Sequence, residues 1–163
     1  QVLELVGDRQ VELGVAFEPA PGSSLTFTPL YRDRFVAVVP RDSALAGHTL
    51  IDWHTLLQQP FITLQRPSAV RVMLEEHLQA RQMKLPVDFE SHQLATVGRM
   101  VACGLGVSVV PALCAEQMRE LGACCITLHE PVVERAIGVL TKPGHELSAA
   151  AQAMFDCLLE TPW

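Results

Sequence analysis

The hydrogen-bonding side chains best placed to hold a small ligand fall in two short segments, QRPSAV at 65–70 and HQLATV at 92–97. Each segment follows an expected strand and opens an expected helix. Arg66, Ser68, Gln93 and Thr96 would then sit where backbone N–H groups lack helical partners and the positive end of the helix dipole is exposed. Such a place suits an anion or a carboxylate, and ligands of open α/β sheets lie beyond the carboxyl ends of strands. The same residues have a plainer use, with Ser68 and Thr96 as helix caps and Arg66 as a surface charge. Residue pattern alone leaves both uses open.

No group of residues lines up for catalysis. Ser108 of GLGVSVVP lies within an expected strand, not on a strand-to-helix elbow, so it is no GxSxG nucleophile. The GLG at 104–106 follows a helix and lacks the spacing of a dinucleotide-binding loop; it reads as a helix stop. Glu75 and Glu76 adjoin on a helix and read as a solvated face. Cys103, Cys114, Cys124, Cys125 and Cys157 are odd in number, with no CxxC pair and no zinc-type spacing, which fits reduced thiols in a cytosol. Cys124 and Cys125 fall in the strand-like run CCITL, where neighbours point to opposite faces. The histidines show no i, i+4 pair able to grip a metal. The expectation is a protein that is not an enzyme, with no cofactor and no metal site.

The elements that must position the two segments are readable from periodicity. Val2 to Val6 looks like the end of a helix, VELGVAF at 11–17 like a strand, and Leu25–Leu30 and Phe35–Val39 like two further strands, the last ended by Pro40. IDWHTLLQQ suggests a short helix before a strand at 60–64. Ser68 would cap a helix over about 69–82, with Val70, Met73, Leu74, His77 and Leu78 on one face and His77 at the core edge. A strand at 86–91 leads to a helix from about Thr96, whose apolar stripe is Val97, Met100 and Val101 and whose stop is Gly104. Further strands are expected at 106–110, 124–128 and 135–141, with helices at about 112–121 and 148–159; the last should bury Ala151, Met154, Phe155 and Leu158. Strands alternating with helices call for α/β architecture with mostly parallel sheets and helices on both faces.

Composition narrows the class further. With 163 residues, 49% of them hydrophobic and 18% charged, the chain can build a real core. It shows no apolar run of membrane-spanning length and no opening of signal-peptide type, so a cytoplasmic protein without a membrane partner is expected. A net charge of −6 argues against holding DNA phosphates directly. The chain opens on Gln1 and enters VLELV almost at once, as expected of a piece of something longer.

The stretch HQLATVGRMVACGLGVSVVPA at 92–112 closely resembles LysR-type transcription regulators, in which a distal-lobe helix ends in a glycine-rich stop and runs into a Val-Pro strand. VELGVAF, LYRDRFVAVVPRDSALA and LSAAAQAMFDCL resemble, in order, a first-lobe strand, the crossing to the second lobe and the C-terminal helix. The resemblance covers nearly the whole chain. It implies a two-lobed effector-binding domain of periplasmic-binding-protein-like (type 2) fold, with a small-molecule inducer, a carboxylate among the candidates, held between the lobes. Lobe one would comprise 1–40 plus 131–163 and lobe two 41–130. The family's winged helix-turn-helix, its linker helix and the sensor's first elements would precede Gln1, so DNA would be bound only through residues outside this chain. Carried over by position, Arg66, Pro67, Ser68 and Ala69 match one lobe-two helix start, Gln93 and Thr96 match the other, and Phe17 and Glu18 would face them. Self-association as a homodimer or homotetramer is implied as well. A solute-binding protein of a transport system shares this fold and is the alternative, but it would need export and would usually lack five unpaired cysteines.

Overall fold

In a computed structural model of the chain, which describes residues 1–162, the residues divide into two compact units. Unit 1 holds Gln1–Asp33 and the segment from Glu134 onward, and unit 2 holds Arg34–Val133.

In unit 1, helix α1 (Val2–Gly7) buries Val6 and leads to strand β1 (Leu13–Phe17). Strand β8 (Glu134–Thr141) lies antiparallel to β1, from Leu13 opposite Thr141 to Phe17 opposite Ile137. Gly138 has no side chain because a Cβ there would collide with the Thr28 carbonyl and the Phe27 ring. Helix α6 (Ala149–Glu160) is capped by Ser148, whose hydroxyl accepts from the Ala151 amide at 3.3 Å. Of the stripe expected to be buried, Ala151, Phe155 and Leu158 are half-buried and Met154 is 54% exposed. Residues 151, 155 and 158 share one helix face, and Met154 lies at its edge, where it turns to solvent.

Strand β2 (Thr26–Pro40) runs through both units. The two strands expected at 25–30 and 35–39 are one, since the strand runs unbroken through the polar link Tyr31–Arg34. Its Phe35–Val39 stretch is wholly buried, as an apolar run in a covered sheet should be. There β2 pairs antiparallel with β6 (Ser108–Pro111) on one side and with β7 (Ala123–His129) on the other. Strand β3 (Leu50–Asp52) adds to β7 in parallel. Helix α2 (Trp53–Leu57) follows directly, with Asp52 accepting from the Thr55 amide at 2.8 Å. Trp53 is fully buried and donates its indole N–H to the Pro131 carbonyl at 2.9 Å.

The rest of unit 2 is built as expected from strand-helix alternation. Strands β4 (Ile62–Leu64) and β5 (Phe89–Ser91) pair in parallel across helix α3 (Ala69–Gln79). Phe61 bridges Val107 in parallel as well. Helix α4 (Leu94–Ala102) stops at Gly104, which takes the left-handed φ of +79°, and helix α5 (Ala115–Glu120) follows a short 3-10 turn at Ala112–Cys114. Val36, Val38, Ile62, Val97, Val101 and Val110 meet Met118 in the core. The sheets are thus mixed. Parallel pairs occur where helices connect the strands, as in β3–β7 and β4–β5, and antiparallel pairs join β1 to β8 and β2 to β6 and β7.

Candidate ligand-binding site

Strands β4 and β5 end side by side. Leu64 stands opposite Ser91, and the Gln65 amide donates to the Ser91 carbonyl at 2.9 Å. From these adjacent ends the chain turns into α3 on one side and α4 on the other. The first bond inside α3 runs from the Val72 amide to Ser68, and the first inside α4 from the Val97 amide to Gln93. The amides of residues 69–71 and 94–96 therefore have no partner within their helices. Arg66, Pro67, Ser68 and Ala69 are brought to the same end of the parallel pair as Gln93 and Thr96.

Neither expected cap is made by a side chain. Ser68 occupies the cap position of α3 and is half-buried, but its hydroxyl accepts no bond from the helix. Thr96 is exposed within the first turn of α4, since that helix starts at Leu94 with Gln93 at the cap position. Gln93 makes no side-chain cap bond either; its amide instead donates to the Ser91 hydroxyl at 3.4 Å. The hydroxyls of Ser68 and Thr96 are thus not committed to holding their helices together.

Arg66 is paired. Its side chain is 70% exposed and makes an ion pair with Glu75 one helical segment away. Glu75 is more than the solvated carboxylate expected, since Arg71 Nε also donates to its Oε1 at 2.6 Å. Arg71 is buried, and its Nη1 donates to Glu90 at 2.9 Å and to the Leu64 carbonyl at 3.3 Å. Burial pushes the Glu75 carboxyl up, but the bonds from Arg71 and Arg66 outweigh it and hold its pKa below the ordinary glutamate range. The network joins the end of β4, β5 and the first turns of α3. Its members Arg71, Glu75 and Glu90 are not in the residue set expected from sequence. The signal for Arg71 is its spacing from Leu74 and Leu78, which puts a cation in line with the apolar face, with Glu75 four residues on.

Phe17 and Glu18 lie in unit 1. Phe17 is half-buried at the end of β1 opposite Ile137, and exposed Glu18 donates its amide to the Ala136 carbonyl at 2.9 Å. Ser108 is buried and spends its hydroxyl on the Ile62 carbonyl at 2.7 Å. Burial, the largest influence, raises the Cys125 thiol above the usual cysteine range, which disfavours thiolate chemistry there. Among the described residues, no group of three or more His, Cys, Asp and Glu side chains is placed to hold a metal ion, and no helix is long and apolar enough to cross a membrane.

The family model described as the LysR substrate binding domain matches residues 1–163. Over 157 residues the chain is 31% identical to the uncharacterized HTH-type transcriptional regulator YbhD of Escherichia coli K12, covering 96% of this chain and 50% of that protein. It is 28% identical to the regulator YfeR of Shigella flexneri, covering 95% and 50%. The chain spans about half the length of the curated relatives it matches. Its fold is similar to that of the effector-binding domain of QuiR, solved in complex with shikimate, with TM-score 0.84 at 18% identity, covering 97% of this chain and 75% of that one. It is also similar to the regulatory domain of Synechocystis PCC6803 CcmR, solved in complex with 2-PG, with TM-score 0.83 at 21% identity and coverage of 96% and 76%.

Proposed function

The chain belongs to the family of LysR substrate-binding domains, and from that premise we propose that it senses a small-molecule inducer for a cytoplasmic transcription regulator. The observation that carries the reading is the adjacent delivery of two helix starts, with uncommitted amides and hydroxyls, at the carboxyl ends of β4 and β5. A small polar or carboxylate-bearing ligand would accept from the amides of residues 69–71 and 94–96 and from the Ser68 and Thr96 hydroxyls. The complexes of QuiR with shikimate and of CcmR with 2-PG support a small molecule as the ligand class. The assignment of Phe17 and Glu18 to the ligand is carried by the family resemblance alone.

In this reading units 1 and 2 correspond to the two lobes, and ligand acts by binding one arrangement of them better than another. DNA would be bound by residues outside this chain, whose net charge of −6 opposes phosphate contacts, and the intact regulator would act as a dimer or tetramer. The test is titration of the intact protein with a panel of small carboxylic acids and polyols by calorimetry, repeated with Ser68→Ala and Thr96→Val. The expected result is a binder weakened by both substitutions. A binder held equally well by both variants would place the ligand elsewhere.

A further inference from the structure

We propose that Glu75 is a built-in competitor for Arg66, so that an anionic group is captured at the start of α3 by exchange: Arg66 leaves Glu75 for the ligand while Arg71 keeps Glu75. The inference rests on the ligand site proposed above and adds a residue that regulates it. It follows from the unequal roles of the two arginines. Arg71 is buried, and a buried guanidinium needs its acceptors; it has Glu75 Oε1, Glu90 Oε1 and the Leu64 carbonyl. Arg66 is 70% exposed and takes the other oxygen, Oε2. When Arg66 departs, Glu75 is left with a short bond to Arg71 and no charge is stranded, and Arg66 itself remains in water or on the ligand.

Charge balance gives the exchange its effect. Arg66 and Arg71 carry two positive charges and Glu75 and Glu90 two negative ones, so the network is neutral with its ligand site empty. Arg66 is therefore not a free cation waiting at the site. A neutral ligand would leave the Arg66–Glu75 pair intact and use only the amides and hydroxyls. A carboxylate or phosphate would have to outbid Glu75, an exposed pairing that is weak and so can be outbid. Glu75 thereby sets how strongly anions are favoured over neutral molecules of similar shape.

The probe is acetate, with acetamide as its neutral counterpart, titrated at constant ionic strength against the intact protein and its Glu75→Gln, Arg66→Gln and doubly substituted forms. In Glu75→Gln the amide oxygen still accepts from buried Arg71, and its NH2 no longer holds Arg66. Acetate should bind about two- to fivefold tighter to Glu75→Gln, the size of a weak exposed ion pair, with acetamide unchanged. In the double variant that gain should vanish, since the competitor acts only through Arg66. Equal or weaker acetate binding by folded Glu75→Gln would overturn the proposal. Crystals of the parent grown with and without acetate decide the matter even if Glu75→Gln does not fold. Acetate at the α3 and α4 starts with Arg66 turned onto it and Arg71 still on Glu75 is the expected result. Acetate at the same starts with Arg66 still on Glu75 would overturn the exchange and leave the site standing. Acetate bound elsewhere or not at all, with binding indifferent to Ser68→Ala and Thr96→Val, would overturn both.

Discussion

Ser108 and Ile62 are joined by one buried hydrogen bond, hydroxyl to carbonyl at 2.7 Å, across 46 residues of sequence. It ties the strand after the glycine-rich stop to β4, the strand that leads into the proposed ligand site. Ser108→Ala removes the donor and leaves an acceptor in a dry place. The expected cost is about 1–3 kcal/mol of unfolding free energy, read by urea denaturation. Ligand binding at the folded site should change little, because Ser108 is not exposed to it.

Gly104 and Gly106 answer to different demands, and their alanine variants should separate them. Gly104 takes a left-handed φ in open space, so Gly104→Ala should cost about 1 kcal/mol of backbone strain. At Gly106 a Cβ would collide with the Pro60 carbonyl, a backbone atom in the pairing that places β4. Gly106→Ala should therefore destabilise by more, about 2–3 kcal/mol, and shift the melting temperature further than Gly104→Ala. Equal effects would contradict the close approach.

Much of this architecture is legible in residue patterns for physical reasons that also say where legibility ends. Helix α4 is readable because Val97, Met100 and Val101 repeat at helical spacing before a glycine stop, and its start is misplaced by two residues because Gln93 ends the loop without any cap signature. The polar run Tyr31–Arg34 reads as a break, because the apolar pattern that marks the expected strands on either side does not extend into it, yet it lies within the unbroken strand β2. In the candidate site, the two helix starts are visible as strand-to-helix junctions, but their adjacency comes from the Leu64–Ser91 register. The role of Glu75 was hidden because one of its partners, Arg66, belongs to the loop before the helix, where spacing rules do not reach.

Acid should weaken the fold in a defined direction. Ser148 donates both its hydroxyl and its amide to Glu12, which lowers that carboxyl, and the Thr55 amide chiefly lowers Asp52. A carboxyl whose folded pKa is depressed stabilises the protein fully above its unfolded pKa and loses that contribution as pH falls through the folded value. Melting temperature should accordingly hold steady down to about pH 5 and drop below it. Asp52→Ala should cost about 1 kcal/mol at neutral pH through the lost α2 cap, and the gap to the parent should close on acidification. A gap that widens in acid would reverse the assignment.

The hydroxyls of Ser68 and Thr96 give the sharpest test of the site, because capping and ligand binding predict different outcomes. A serine or threonine that caps a helix loses about 1 kcal/mol of stability on replacement. Neither residue does so: Ser68 accepts nothing from α3, and Thr96 lies inside α4, exposed. Ser68→Ala and Thr96→Val should then leave unfolding free energy within about 0.5 kcal/mol of the parent, as surface substitutions do. Inducer affinity should fall about tenfold or more in each, since a hydrogen bond to a charged ligand group contributes about 1.5–3 kcal/mol. Calorimetric titration beside urea denaturation of the same samples reads both quantities. Loss of stability with unchanged affinity would return both residues to a structural role, whereas loss of affinity alone places the ligand at the two helix starts.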